Sequence, residues 1–252
     1  MAKRIAKLLV LACLAMGLAL PTTAFSAEKT YVNGIDANFP PFAFVDKTGK
    51  PNGFDVEAVD WIAAKLGFKV VHKPMDWDGI IPSLNAKKID FIASGMSITK
   101  ARAKVVNFSI PYWTIKQVMV VPKDSKLTPK DILKSGKGVG VQRGTSEAKW
   151  LKTNMDKMGW KFDRVLYDSA PLSVEDMLNG RIVAAIMDDA PAKDMAAKKP
   201  IKILGEFGMP TEDFGYAVRK ADKDLLEMLN KGIKMLKASP KWAELEKKYE
   251  LK

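Results

Sequence analysis

The sequence predicts an α/β fold with mostly parallel sheets, and three observations predict it. Short apolar strands alternate with helices along nearly the whole chain. Helix ends carry their own punctuation, as in Thr128-Pro129 at a start and Leu66-Gly67 at a stop. Polar residues gather just after strands, where sheets of this class hold ligands.

The elements follow in order. Residues 31–35 read as a strand, and 36–42 as a loop held open by Pro40 and Pro41. Residues 54–66 read as a helix. Val59, Ile62, Ala63 and Leu66 fall at i, i+3, i+4 and i+7, and Gly67 suits the left-handed position after the end. A strand over 68–71, a short helix over 79–86 and a buried-type strand over 90–93 come next. Thr99 is placed to cap a helix running through Arg102. Residues 117–122 form a strand that leaves this unit. A helix then starts at Thr128-Pro129, followed by a strand over 138–142, a helix over 145–158 and a strand over 162–167. The helix over 171–179 ends at Gly180. A strand over 182–187, a helix over 190–197 and strands over 201–204 and 214–218 precede two closing helices. These span 225–236 and 240–249, the second capped by Ser239. Ligand contacts are expected after Ile35, Ala93, Gln142 and Met187, where strands end.

The N-terminus has the order of a secretory signal. Lys3, Arg4 and Lys7 precede an apolar run over 8–20, Pro21 ends it, and small residues follow. The run is shorter than the roughly 20 residues a membrane span needs. Ala24 and Ser26 sit at −3 and −1 for a cut after Ser26, so residues 1–26 read as the signal peptide. Cys13 is the only cysteine. Its surroundings match a lipoprotein box only loosely, because the apolar run continues past it and the bulky Leu11 sits at −2. Cys13 therefore reads as part of the apolar run, not as a lipid anchor. The exported chain then has no disulfide and must rely on its core.

The chain carries 41 basic and 29 acidic residues, a formal +12, and +9 without Lys3, Arg4 and Lys7. The two signs are interspersed, as at Lys123-Asp124, and no stretch interleaves arginines with aromatics. Nucleic acid is not an expected partner. His72 is the only histidine, so histidine-rich metal sites and catalytic triads have little support. The glycine run 136–140 ends inside a strand and lacks the lysine-Ser/Thr ending of a phosphate loop.

Several ordered motifs carry a resemblance. They are Gly34 to Phe42, Gly53-Phe54-Asp55-Val56-Glu57, Met75 to Leu84, Ser94 to Arg102, Phe108 to Tyr112 and Gly140 to Thr145. Together with Asp188 and Phe214-Gly215 they resemble the bacterial family 3 solute-binding proteins, the polar amino-acid-binding components of ABC importers. The resemblance implies a two-lobed, type II periplasmic binding protein-like fold. One lobe would comprise residues 27–115 and 213–252 and the other 116–212, joined by two crossing strands. It implies a free amino acid as ligand, a membrane permease as partner, a monomer, a periplasmic location, and neither cofactor nor catalysis.

The site residues follow from that resemblance and from their chemistry. A guanidinium at Arg102 can grip an α-carboxylate with paired, charge-assisted bonds, although position alone equally suits a surface arginine. Ser97 and the backbone around Gly95, with Ser94 and Met96 beside it, can complete the head-group contacts. Asp188, at a strand end, is placed to hold an α-ammonium; its alternative is a helix cap, a job for which Asp189 competes. Phe39 and Trp77 align with the family's sandwiching aromatics, with plain core packing as the alternative. Asp36 would meet the distal end of the ligand and repel an acidic side chain. Gln142, Thr145 and Ser146 would line the second lobe, or simply make a polar turn. An amide or cationic amino acid is favoured. Two other readings stay open, a cyclohexadienyl or arogenate dehydratase on the same scaffold and a ligand-presenting sensor.

Overall fold

The computed structural model describes residues 29–251. The expected signal peptide, Cys13 and the cut after Ser26 lie outside the described residues.

The structure has two lobes, each built on a five-stranded sheet. In the first, the strand order is Lys69–Met75, Thr30–Asp36, Phe91–Ile92, Ala217–Val218, Asn107–Phe108. In the second it is Asp163–Tyr167, Gly138–Gln142, Ala184–Asp188, Gln117–Pro122, Ile201–Glu206. Both sheets are mostly parallel in strand direction, as expected. Four strands of each run the same way, and one runs against them, Ala217–Val218 in the first sheet and Gln117–Pro122 in the second. The reason is connectivity. Gln117–Pro122 enters the second lobe from the first, and Ala217–Val218 returns to the first, so each joins its host sheet against the grain. Between the lobes, Trp113–Ile115 and Glu212–Phe214 form a two-stranded antiparallel ribbon where the chain crosses twice.

Side-chain periods explain the layers. Along Gln117–Pro122, Val118 and Val120 face one cluster with Val174 and Ile201, while Met119 and Val121 face another with Val141 and Leu151. That period-two split lets helices cover both faces of the sheet. In the first lobe, the helix Phe54–Leu66 buries Phe54, Ala58, Val59 and Ile62 against Leu229, Ile233 and Leu236 of the helix Lys223–Lys237. Each of these side chains but Ala58 contributes about 1.5–3 kcal/mol on full burial. The two helices meet closely at Gly232, where a Cβ would stand 2.3 Å from Ile62 Cγ2. Gly67 takes φ 72° and ends the first helix as expected, with its N–H on Ala63 O at 3.0 Å. Thr128 and Asp131 cap the helix Pro129–Leu133 reciprocally.

Several expected elements change. The strand over 214–218 is two strands, because Phe214 pairs in the crossing ribbon and Ala217 in the first sheet. Gly215 between them packs so tightly on Ile98 that a Cβ would lie 2.9 Å from it. The helix over 145–158 is Ser146–Asn154, followed by turns. Thr99 accepts the Arg102 N–H at 3.2 Å, but the helix there is a single 3-10 turn, Arg102–Lys104, that starts at Arg102 and does not lead up to it. Ser239 precedes Pro240–Lys248, yet its hydroxyl donates back to Leu236 O at 2.8 Å and caps nothing.

Candidate ligand-binding site

A cavity lies between the lobes. All four expected strand ends contribute to it. Asp36 ends Thr30–Asp36, and Ser94, Gly95 and Ser97 follow Phe91–Ile92. Gln142 ends Gly138–Gln142, and Asp188 ends Ala184–Asp188. Phe39, Trp77, Arg102, Thr145 and Ser146 also line it. Met96 does not. Its side chain is fully buried with Ile80, Leu84 and Ile92, and only its carbonyl is engaged locally, by the Gly215 N–H at 3.0 Å. The segment bends at Gly95, φ 57°, and turns Met96 inward while Ser94, Gly95 and Ser97 face the cavity.

Arg102 is held by carbonyls. Nη1 donates to Ser97 O at 3.0 Å, and Nη2 donates across the cleft to Gly144 O at 3.2 Å. The guanidinium lies 5.3 Å from the Trp77 ring centre, so part of that aromatic face serves the arginine. No described carboxylate is within ion-pair distance of it. Burial disfavours its charge, and Glu147, Glu212 and Asp188 oppose that effect. A guanidinium keeps its charge at such a site, with donors left for a carboxylate.

Asp188 precedes the helix Asp189–Lys198 but makes no capping bond; its Oδ1 accepts the Gln117 amide at 3.1 Å. The carboxyl therefore stays available to the cavity. Burial, with Glu147 and Glu212 nearby, pushes it well above the ordinary carboxylate range. Arg102 and Asp188 stand on opposite lobes of one cavity.

Asp36 is buried. Its Oδ1 accepts the Asn38 N–H at 2.9 Å and its Oδ2 the Gln142 amide at 2.8 Å, the latter across the cleft. Burial raises its pKa, and those two bonds resist the rise. Ser94 Oγ accepts the Asp36 N–H at 2.9 Å. Thr145 spends its hydroxyl on the helix start, accepting from Ala148 N and donating to Gln142 O. Ser146 Oγ donates to Glu212 Oε2 at 2.6 Å and lies 3.4 Å from Ser97 Oγ. Gly95 takes φ 57°, and a Cβ there would meet Phe39 Cε1 at 2.3 Å, so glycine lets the aromatic ring lie against the backbone.

Four lining residues carried no sequence signal strong enough to single them out: Glu147, Ala170, Ile186 and Met187. Glu147 directly follows Ser146, and Ile186-Met187 directly precede Asp188, so proximity was the available clue. Glu212 reaches Ser146 from the crossing ribbon, a contact that chain separation hides. Burial pushes the Glu147 carboxyl up, and Glu212 adds to the rise.

The sequence profile of the bacterial extracellular solute-binding proteins, family 3, matches residues 31–252. The chain belongs to this family. The family 3 protein is 31% identical to the probable histidine-binding protein of Neisseria gonorrhoeae, over 94% of this chain and 89% of that one. It is 34% identical to the L-cystine-binding protein of Escherichia coli, over 81% and 76%. It also superposes on an ancestral arginine-binding protein bound to arginine. That match has a TM-score of 0.78 and 38% identity, covering 88% of this chain and 98% of that one. The relatives are named binding proteins, not enzymes. A non-enzymatic, solute-binding role follows for this family 3 protein.

Proposed function

We propose that this protein captures a free polar L-amino acid between its two lobes and delivers it to the membrane permease of an ABC importer. One observation carries the reading. Arg102 and Asp188, groups of opposite charge from opposite lobes, line one cavity. A zwitterionic head group satisfies both at once and so ties the lobes together, which makes closure depend on the ligand. Asp36, beside Phe39, Trp77 and Gln142, receives the side chain, and an amide or a cation suits it better than an acid.

The lobes would be residues 27–115 with 213–252, and 116–212, hinged at the ribbon of Trp113–Ile115 and Glu212–Phe214. The N-terminal signal pattern supports export to the periplasm, and a permease is the partner that family membership implies. Thermal melting of unfolded and refolded protein against the twenty amino acids, prephenate and arogenate tests the reading. A ligand at about a hundred times its Kd adds roughly 2.7 kcal/mol of stability. A shift with one or a few polar amino acids, without turnover, is the expected result. Product from prephenate or arogenate, with no amino-acid shift, would overturn it.

A further inference from the structure

The end of the cavity around Asp36 has an unusual balance of donors and acceptors. The Gln142 Nε2 has two hydrogens, and two oxygens lie in reach of it: Asp36 Oδ2 at 2.8 Å and Asp168 O at 3.2 Å. The carbonyl can only accept, and so can the Asp36 carboxylate, so the amide must point its nitrogen at this pair. Both hydrogens are then spent. What Gln142 has left is Oε1, an acceptor. Asp36 adds a carboxylate, already taking the Asn38 N–H on Oδ1. Among Asp36, Gln142 and Ser94, the Ser94 hydroxyl hydrogen is the one donor left over, its oxygen taking the Asp36 N–H.

This end has its own charged surroundings. The charges that act on Arg102 are Glu147, Glu212 and Asp188, whereas the charged neighbour that acts on Asp36 is Asp76. The lining as a whole sets three carboxyl groups, Asp36, Glu147 and Asp188, against Arg102 alone. A zwitterionic head group adds no net charge and leaves that excess untouched.

We infer that the ligand's side chain ends in a cation that only donates hydrogen bonds, an ammonium or a guanidinium, and that Gln142 is a specificity-determining residue because it turns this end of the cavity into an acceptor-rich pocket. The inference rests on the amino-acid-binding reading and narrows it. A terminal amide such as that of glutamine brings a carbonyl oxygen that Asp36 and Gln142 cannot meet and for which the Ser94 hydroxyl is the single side-chain donor, and an under-paired buried acceptor is costly. A guanidinium or ammonium brings hydrogens alone and offsets the negative charge.

Calorimetric titration of the refolded protein with arginine, lysine, glutamine and citrulline tests it. Citrulline has the outline of arginine but carries a carbonyl oxygen and no charge. Arginine or lysine is expected to bind at least about thirtyfold tighter than glutamine and citrulline, as sites built on buried polar pairing discriminate strongly. Gln142→Leu is expected to cut that ratio at least about fivefold, with Gln142→Met as a second apolar replacement should leucine prevent cooperative folding. Glutamine or citrulline binding the unaltered protein within about threefold of the best cationic ligand overturns the inference and leaves the amino-acid reading standing. A ratio that neither variant moves removes Gln142 from the role. No binding of any polar amino acid at millimolar concentration overturns the underlying reading as well.

Discussion

The Gly95 N–H donates to Asp55 Oδ2 at 2.7 Å, so a carboxyl buried in the helix Phe54–Leu66 holds the backbone that lines the ligand cavity. The Tyr112 hydroxyl donates to the same oxygen at 2.7 Å, and Oδ1 has no partner among the described residues. Burial drives the Asp55 pKa up to about 7, against the pull of both bonds. A carboxyl whose folded pKa exceeds its unfolded value of 3.8 binds more protons when folded. It therefore costs stability as pH rises from about 4 to about 7, by on the order of 4 kcal/mol. Asp55→Asn should flatten that decline. Urea unfolding of both proteins between pH 4 and 8 measures it, and parallel pH profiles would rule the assignment out.

Arg102→Ala should weaken amino-acid binding more than about a hundredfold, the scale expected when one partner of a buried charge pair is lost. The fold should survive, since the guanidinium's protein contacts are two carbonyls and the Trp77 face. Calorimetry with a melting control checks both halves. Affinity retained within about threefold would contradict the clamp.

Asp36 makes binding of a cationic amino acid depend on pH. Burial raises its pKa in the cavity, and a bound cation would draw it back down. Binding is thus strongest where the unliganded Asp36 is already ionised, and affinity falls as pH drops through that raised pKa. The fall should begin at higher pH than an ordinary aspartate near 3.8 would give. Glu147 and Asp188 also titrate in the cavity, so the comparison is with Asp36→Asn, which should lose the Asp36 share of the dependence. Affinity profiles from pH 4 to 8 that superimpose for the two proteins would refute it.

Gly232→Ala should destabilise the first lobe although alanine is the better helix former. Its Cβ would stand 2.3 Å from Ile62 Cγ2, and overpacking of that kind costs about 1–3 kcal/mol against a propensity gain of about 1 kcal/mol. The site lies elsewhere, so amino-acid affinity should be unchanged. A variant as stable as the parent in urea would mean the two helices can part freely.

Local chemistry by itself determined much of this protein. The helix Phe54–Leu66 and its stop at Gly67, the start at Thr128-Pro129, and the strands Gln117–Pro122 and Gly138–Gln142 were legible with their ends in place, because period, caps and glycine conformations act within a few residues. The ordered motifs also named the family, and the strand ends marked where polar side chains would gather. Tertiary structure decided what depends on distant partners. It divided residues 212–218 between two sheets, because each half pairs with a different strand. It turned Met96 into the core while Gly95 and Ser97 kept the cavity. It brought Gln142 onto Asp36, 106 positions away, and Glu212 onto Ser146, 66 away. Contacts of that kind leave no local pattern to read, because the chain pays their loop closure only when both lobes are assembled.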